Sequence, residues 1–536
     1  MDDRVYVNKW LIAATVMIPT IMEIVDTSVA NVALDHIRGS LSAGVDEVTW
    51  VLTSYLVSNA IIIPITGWLA RTFGRKRYLM FSIMLFTISS FMCGSAPNLG
   101  TLVFFRVLQG IGGGALQPMS QAILFESFPP RQHGVAMAVF GVGVMFGPIV
   151  GPFLGGWLTD NLNWRWIFYV NIPIGVVALI MAYSFIYDPS YLRRKGKGAQ
   201  PQGERGKAIG EIQEEEKERI DYWGLALLVT WVGCLQIVLD NGHRKDWFNS
   251  HFIVILSAIS VAAFAFFIVV ELTTPSPVVN LRTFKNRSFT GGNIMMFVAF
   301  FCFFGSIVLL PLYLQLLMGY TATLAGMALS PGGIASLISM AIMGRLIGKF
   351  DPRFILAFGI SLTCYSFYMM TQFNLASNYQ FVLMPRVIQG LGIGCLFVPL
   401  TTLTVSHIPK QEMGNATGIF NLLRNLGGSF GVAFSATMLA RHTQINQNHL
   451  VEHLAPTGIS FQQAFQSLKL ALPRMGVIPA LQDDAALGVI YRELQRQALM
   501  LSFNDSFRYL FMIFFLTVPF LFLLKRPQFG EAVAVH

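Results

Sequence analysis

The chain has 536 residues, of which 54% are hydrophobic and 12% charged, and its mean hydropathy is +0.58. Soluble domains carry about 25% charged residues, so this composition excludes an ordinary soluble protein and indicates a polytopic membrane protein. The net charge of +9 would suggest nucleic-acid binding in a soluble chain, but here the Lys and Arg that collect in cytoplasmic loops explain it.

Apolar runs of about 20 residues, the length that spans a bilayer, recur along nearly the whole chain. The first run has spanning length and lacks a small-residue cleavage site, so we expect a first span rather than a cleaved signal peptide. We predict fourteen spans, centred on 10–34, 48–70, 78–96, 101–124, 134–158, 164–187, 222–240, 251–271, 289–315, 322–346, 354–372, 379–404, 413–440 and 507–525.

The basic residues fall on one side when these spans alternate. The runs concerned are "RTFGRKR" (71–77), "LRRKGKG" (192–198), "RTFKNR" (282–287), "GRLIGKFDPR" (344–353) and "KR" (525–526). Because cytoplasmic loops are enriched in Lys and Arg, that side is predicted to be cytoplasmic. An even number of spans then places both termini in the cytoplasm.

The fifth predicted span contains glycine and proline, which are poor interior residues for a soluble helix. Its sequence, "FGVGVMFGPIVGPFLGGW" (140–157), carries Gly143, Gly147, Gly151 and Gly155 on one ridge, with Pro148 and Pro152 beside them. Within lipid, small residues mark contact faces and prolines can bend a helix. One interpretation is a conformational device along which two rigid bodies pack and rock, and the other is a static packing seam.

Two loops are long. Residues 189–221 are rich in Gly, Lys and Glu and are predicted to be a solvated cytoplasmic linker. Residues 442–504, on the opposite side, contain two helical patterns, Phe461, Phe465, Leu468 and Leu472, then Leu487, Ile490, Tyr491 and Leu494. This loop is either a small cap that packs on itself or a docking site for an extracytoplasmic partner.

An internal repeat divides the chain into two halves. "RVLQGIGGGALQP" (106–118) recurs as "RVIQGLGIGCLFVP" (386–399), and the offset of 280 residues also relates Gly134, Gly147 and Gly151 to Gly414, Gly427 and Gly431. We therefore predict an all-α fold with two parallel six-helix bundles and two inserted helices. The predicted domains are 1–188, the linker 189–221, the inserted pair 222–288, and 289–536 with the loop 442–504.

Charged side chains inside the predicted spans are functional candidates, since each costs about 2.5–3.5 kcal/mol to insert at mid-bilayer. Glu23 and Asp26 lie three residues apart on one face of the first span, and Arg106 in the fourth span is the natural counter-ion. We predict that this acid pair gains and loses a proton during transport. The structural alternative is that Asp26 only accepts hydrogen bonds between helices.

The cavity between the halves is predicted to bind substrate through aromatic and polar side chains, which can adapt to many lipophilic compounds. The candidates are Tyr55, Asn59, Gln117, Tyr313, Gln315 and Arg424. Arg386 repeats Arg106, but no acid in spans nine to twelve is available to pair with it. No Walker motif, zinc-ligand spacing or catalytic constellation is present in the sequence, so we expect a transporter with no cofactor and not an enzyme.

Several of these motifs resemble those of the major facilitator superfamily, specifically the fourteen-span drug:proton antiporters and EmrB-type multidrug exporters. The motifs are "VDTSVANVAL" (25–34), "GWLARTFGRK" (67–76), "FFRVLQGIGGG" (104–114), "GPIVGPFLGGW" (147–157) and "WRWIFYVNIPIG" (164–175). One departure is Arg71, because the loop motif usually carries an acid there. Any acidic latch must therefore be weakened in this chain or supplied by another residue.

The resemblance implies a proton-driven antiporter that exports lipophilic drugs and toxic compounds across the cytoplasmic (inner) membrane by alternating access. It implies that Arg106 takes part in proton transfer, that Asp26 is the first-span acid, and that Arg75 belongs to the conformational motif. It also implies a periplasmic adaptor and an outer-membrane channel as partners. The alternative is a proton-linked exporter of one metabolite, such as a fatty acid or siderophore.

Overall fold

The computed structural model describes residues 8–188, 221–452, 454, 458–475, 478 and 481–524, and every regular element within them is a helix. We number the fourteen long helices in chain order. They are α1 Lys9–Ser40, α2 Trp50–Phe73, α3 Arg75–Gly94, α4 Leu99–Ser127, α5 His133–Asn161, α6 Trp166–Phe185, α7 Tyr222–Asn241, α8 His251–Thr273, α9 Arg287–Leu316, α10 Ala322–Leu346, α11 Pro352–Met370, α12 Tyr379–Val405, α13 Met413–Glu452 and α14 Gln482–Phe515.

Two of these helices are briefly interrupted, α4 between Gly113 and Leu116 and α6 between Tyr169 and Asn171. Shorter helical segments are Val45–Val48, Pro130–Gln132, Trp247–Asn249, Leu281–Lys285, Lys410–Glu412, Ile459–Ala471, Leu472–Met475 and Val518–Leu523.

The prediction of fourteen spanning helices is confirmed. Among the described residues, 13 helices are long and apolar enough to cross a membrane by themselves. The remaining one, α13, contains Asn421, Arg424 and Asn425 within its membrane segment, and these polar residues lower its hydropathy. Such a helix is stable in the membrane only where its polar face is covered by other helices, and α13 packs between α2, α4, α9 and α14.

The two six-helix bundles have matching contacts, which confirms the fold predicted from the repeat. In the first bundle α1 packs on α5, and α4 packs on α2 and α3. In the second, α9 packs on α13, and α12 packs on α10 and α11. The inserted pair lies at the side, where α7 contacts α2 and α13 and α8 contacts α7.

The two bundles meet along α2 and α4 against α13, and along α5 against α10 and α12. We call the side with the turns at 74, 128–132, 347–351 and 406–412 the basic face. Near this face a Cβ atom on Gly67 of α2 would lie 2.5 Å from backbone atoms of Gly414 and Asn415 of α13. A Cβ on Gly134 of α5 would lie 2.9 Å from Ile347, so the bundles are in tight contact here.

The predicted last span, 507–525, forms the end of a longer helical segment. One continuous helix, α14, runs from Gln482 to Phe515, followed by the 3-10 turn Val518–Leu523. Because no proline interrupts residues 482–515, the amphipathic pattern of Leu487 and Leu494 continues directly into the apolar span. On the same side α13 extends to Glu452, beyond the predicted end at 440.

Between these two extensions, the helix Ile459–Ala471 packs on α14, and its Phe461 and Phe465 rings stack at 6.0 Å. The predicted linker at 189–221 lies outside the described residues except for Asp221, whose Oδ1 accepts a hydrogen bond from the Gly224 amide at 2.8 Å. The basic runs 192–198 and 525–526 also lie outside the described part of the chain.

Candidate functional site

The glycine ridge of α5 packs against α1 within the same bundle. A Cβ on Gly143 would overlap Met17, one on Gly147 would overlap Ile24, and one on Gly151 would overlap Ser28. Gly155 packs on Val29 at the end of this ridge. Pro148 and Pro152 lie within α5, which stays helical from His133 to Asn161.

This close approach holds the middle of α1 inside the bundle, and that is where both predicted acids are located. In this conformation the glycine ridge therefore forms a static packing seam. Its role in the rocking of the two bundles remains a prediction.

Asp26 is held by a buried set of charged and amide groups. Arg106 Nη1 donates to Asp26 Oδ2 at 2.7 Å, and the two side chains are 0% and 1% exposed. Gln109 Nε2 and Asn171 Nδ2 donate to Asp26 Oδ1 at 2.9 and 2.7 Å. Arg106 also donates to the Val51 carbonyl at 3.0 Å. Both carboxylate oxygens are thus satisfied, as a buried ion pair requires.

Glu23 has a different environment, although it lies only one helical turn from Asp26. Its carboxylate accepts hydrogen bonds from Tyr55 Oη at 3.0 Å, Asn59 Nδ2 at 3.1 Å and Gln117 Nε2 at 2.7 Å. The side chain is 3% exposed and has no direct ion pair with a residue that the structure describes. Its immediate donors are neutral, so its charge is stabilised by dipoles rather than by a cation in contact.

Tyr55 connects the two acids. Its ring lies 4.3 Å from Arg106 Cζ, and its hydroxyl donates to Glu23. A tyrosine that stacks on the guanidinium and hydrogen-bonds the second acid fixes both groups at once. The two predicted acids therefore belong to separate sets of partners with Tyr55 as the shared member.

A polar ladder, which we define as three contacts between α4 and α13, crosses from the first bundle to the second. Asn421 Nδ2 donates to Gln121 Oε1 at 2.6 Å, and Thr417 Oγ1 donates to the Pro118 carbonyl at 3.2 Å. At its end nearest Glu23, Arg424 Nη2 donates to Gln117 Oε1.

Gln117 thus joins the Glu23 carboxylate, through its amide N–H, to the Arg424 guanidinium of the other bundle, through its carbonyl. Arg424 is 3% exposed, its Nη1 has no hydrogen-bond partner within the described part of the chain, and its Cζ lies 5.6 Å from the Phe300 ring.

Arg386 occupies in the second bundle the place of Arg106 in the first. It donates to Gln389, as Arg106 donates to Gln109, and its Cζ lies 5.8 Å from the Phe303 ring. Gln389 is in turn bonded to Ser306. Among the described residues Arg386 has no ion pair, in agreement with the lack of a suitable acid in the sequence.

The remaining predicted residues lie elsewhere. Tyr313 donates to the Asn374 carbonyl at 2.8 Å and stacks on Phe373 at 5.2 Å, and Gln315 is exposed, so neither reaches the Glu23 set. Arg75, at the start of α3, forms a bidentate pair with Glu126, with both bonds at 2.7 Å.

Sequence reasoning missed four partners, namely Glu126, Asn171, Gln109 and Gln121. Two of them carried a signal, since Gln109 recurs as Gln389 in the repeat and Asn171 lies in the motif 164–175, whereas Gln121 and Glu126 are single polar residues of α4. Among the described residues no group of three or more His, Cys, Asp and Glu is close enough to hold a metal ion.

Comparison with known proteins gives consistent similarities. Residues 16–432 match the family model described as Major Facilitator Superfamily. The chain is 37% identical over 512 residues to "Multidrug export protein EmrB" of Escherichia coli K12, covering 95% of this chain and 94% of that protein. It is 34% identical to "Fatty acid resistance protein FarB" of Neisseria gonorrhoeae, covering 94% of each. The human organic anion transporter MFSD10 shares the fold with a TM-score of 0.57 at 12% identity, covering 95% of this chain and 100% of that one.

Proposed function

Because the chain belongs to the major facilitator superfamily and is a multi-pass membrane transporter, we propose that it exports lipophilic drugs in exchange for protons by alternating access. The names of its relatives support drug export. The observation that carries proton coupling is the pair of buried acids on α1. Glu23 accepts hydrogen bonds from neutral donors, whereas Asp26 forms an ion pair with an arginine. The two acids therefore have different roles.

Glu23 is the group that we propose loads and releases the proton. A proton on this carboxyl removes the charge that its three donors now stabilise, and a neutral carboxyl in a buried site avoids the cost of an isolated ion. Both oxygens of Asp26 are instead occupied by donors from Arg106, Gln109 and Asn171, so we assign this acid the role of holding Arg106 in place. Arg106 in turn orients Tyr55, so the ion pair positions a donor to Glu23.

Gln117 connects this protonation to the second bundle. When Glu23 is charged, the Gln117 N–H points to the carboxylate and its carbonyl accepts from Arg424. A protonated carboxyl is a weaker acceptor than a carboxylate, so protonation of Glu23 loosens its hold on the Gln117 amide and weakens the cross-bundle bond. Proton binding therefore biases the contact between α4 and α13, as a two-state carrier requires.

We orient the protein by the positive-inside rule, which places the basic face on the cytoplasmic side of the inner membrane. Since the bundles are in tight contact at that face, this conformation corresponds to one that is closed to the cytoplasm. Drug would be taken up from the cytoplasm or inner leaflet in the opposite conformation, and a proton taken up from outside would displace it here.

Export is tested by fluorescent-dye efflux from cells that express the chain or its variants. We expect energy-dependent efflux that stops when the proton gradient is collapsed, and that is lost in Asp26→Asn and Glu23→Gln at equal protein level. The matched control is Asp160→Asn, because the Asp160 side chain is 71% exposed. Full efflux in both site variants would contradict the proposal.

A second candidate function is export of one lipophilic acid, such as a fatty acid. Two buried arginines beside aromatic rings, Arg386 with Phe303 and Arg424 with Phe300, could receive a carboxylate and its apolar body. The similarity to the gonococcal fatty acid resistance protein points the same way. A binding screen of cationic, neutral and anionic lipophiles on the purified protein separates the two candidates, since a single-acid exporter binds only one anionic class.

We also propose that the extensions of α13 and α14, with the helix Ile459–Ala471, face the periplasm and contact an adaptor that leads to an outer-membrane channel. Helical ends that extend beyond the bilayer offer the surface such a partner needs. Cross-linking from position 487, which is 46% exposed on α14, tests the contact.

A further inference from the structure

A groove on the outer surface of the first bundle lies apart from both acids and from the contact between the bundles. Its volume is about 490 Å³, and it runs between α2, α3 and α4. Its walls include Ile62, Leu69 and Phe73 of α2, Phe81 of α3 and Ile111 of α4, with Arg77 of α3 also lining it. The proposed transport mechanism uses none of these residues.

The groove has the length of one membrane leaflet. Phe73 is the last residue of α2 at the basic face, and Ile62 lies eleven residues deeper, which corresponds to about 16 Å along the helix axis. The hydrocarbon core of a bilayer is about 30 Å thick, so the groove extends from the headgroup level to about the midplane. A single acyl chain that enters from this face would fill it.

Arg77 marks the headgroup end of the groove. The three cations at the start of α3 differ in their surroundings, because Arg75 pairs with Glu126 and Lys76 Nζ donates to the Tyr183 carbonyl. Arg77 is exposed and makes no hydrogen bond or ion pair with any residue that the structure describes. It therefore presents a free guanidinium at the depth where lipid phosphates lie.

We propose that this groove binds one acyl chain of an anionic phospholipid from the leaflet at the basic face, with the lipid phosphate on Arg77. A phosphodiester suits the guanidinium, and an anionic headgroup brings no cation of its own to compete with it. The bound lipid would contact α2 and α3 on either side of the turn at Gly74.

Native mass spectrometry of the full chain in detergent tests the site with defined phosphatidylglycerol and phosphatidylcholine. We expect wild type to retain phosphatidylglycerol preferentially, and Arg77→Gln to reduce this preference about fivefold, the effect of one basic side chain near an anionic surface. The control is Arg345→Gln, since Arg345 is also exposed near the basic face but lies on α10. An unchanged preference in Arg77→Gln, or an equal loss in Arg345→Gln, would overturn the proposal.

A second measurement leaves Arg77 intact. A benzophenone-bearing residue is placed at Phe81 in the groove, and for comparison at Phe358 on α11, whose side chains are 52% and 58% exposed. After illumination in mixed nanodiscs, adducts at position 81 should be enriched in phosphatidylglycerol, whereas those at 358 should match the bulk composition. Adducts of bulk composition at both positions would show that no specific lipid is bound.

Discussion

Asp26 and Arg106 form an ion pair that is nearly inaccessible to solvent. Removal of one partner from a buried pair leaves an uncompensated charge and typically costs about 3–5 kcal/mol. Asp26→Asn should therefore lower the thermal unfolding temperature of the purified protein as well as abolish efflux. The double variant Asp26→Asn/Arg106→Gln should regain stability without regaining transport, because the leftover charge is gone but the positioning of Tyr55 is still lost. Recovery of efflux in the double variant would mean that the pair is only structural.

Glu23 permits a separate test, because a glutamine of the same shape is permanently neutral. In wild type, dye affinity should fall as the pH falls, since proton and drug compete. In Glu23→Gln the affinity should be low and independent of pH, and fluorescence polarisation across a pH series measures both. A pH dependence equal to that of wild type would show that another group takes up the proton.

Substitution of Gln117 distinguishes a structural role of its contacts with Glu23 and Arg424 from a role in proton coupling. In Gln117→Ala the Glu23 carboxyl keeps Tyr55 and Asn59, but its connection to Arg424 is removed. We expect dye binding to keep its pH dependence while proton-driven efflux is lost. Parallel binding and efflux assays on the same preparation check this, and loss of both properties would indicate misfolding instead.

At the level of helices, the glycine ridge of α5 makes a prediction about packing. Gly147→Leu would place a large side chain against Ile24 of α1, and overpacking of this kind costs about 1–3 kcal/mol. The matched control is Gly156→Leu on the same helix, since a Cβ there meets no atom within 4 Å. Thermal unfolding in detergent should show a marked loss for position 147 and little change for 156, and equal losses would refute the seam.

Hydropathy and the internal repeat predicted some features of the helices but not others. Hydropathy predicts the spans, and the repeat of Arg106 as Arg386 predicts the two bundles. Both signals lie in the order of the residues along the chain and do not depend on which helices pack together. The start of α14 at Gln482 could not be predicted from the sequence. The amphipathic segment and the apolar span that follows it form one continuous helix, but their hydropathy patterns differ.

The site was predicted in part for a similar reason. A spacing of three residues places Glu23 and Asp26 on one face of α1, but it does not say which other helices approach each of them. Tyr55 and Asn59 come from α2 and Asn171 from α6, so the separation into two sets arises from tertiary packing. Tyr313 was chosen for its residue type alone, and its ring instead stacks on Phe373.

For the whole molecule, the tight approach of α2 to α13 at Gly67 predicts control over the conformational equilibrium. Gly67→Leu cannot fit against Gly414 and Asn415, so it should disfavour the conformation with the basic face closed. Spin labels at positions 71 and 411 should then report a longer distance than in otherwise wild-type protein. The control is Gly39→Leu at the far end of α1, where a Cβ meets nothing within 4 Å, and an unchanged distance in Gly67→Leu would contradict the assignment.

The length of α13 has a mechanical consequence. From Arg424, which touches the Glu23 set through Gln117, the helix continues without interruption for about 42 Å to Glu452. A stiff rod of that length converts angle into distance, and a tilt of 10° about Arg424 would carry its tip roughly 7 Å. Protonation of one carboxyl inside the bilayer would thus displace the end of α13 well outside the bilayer.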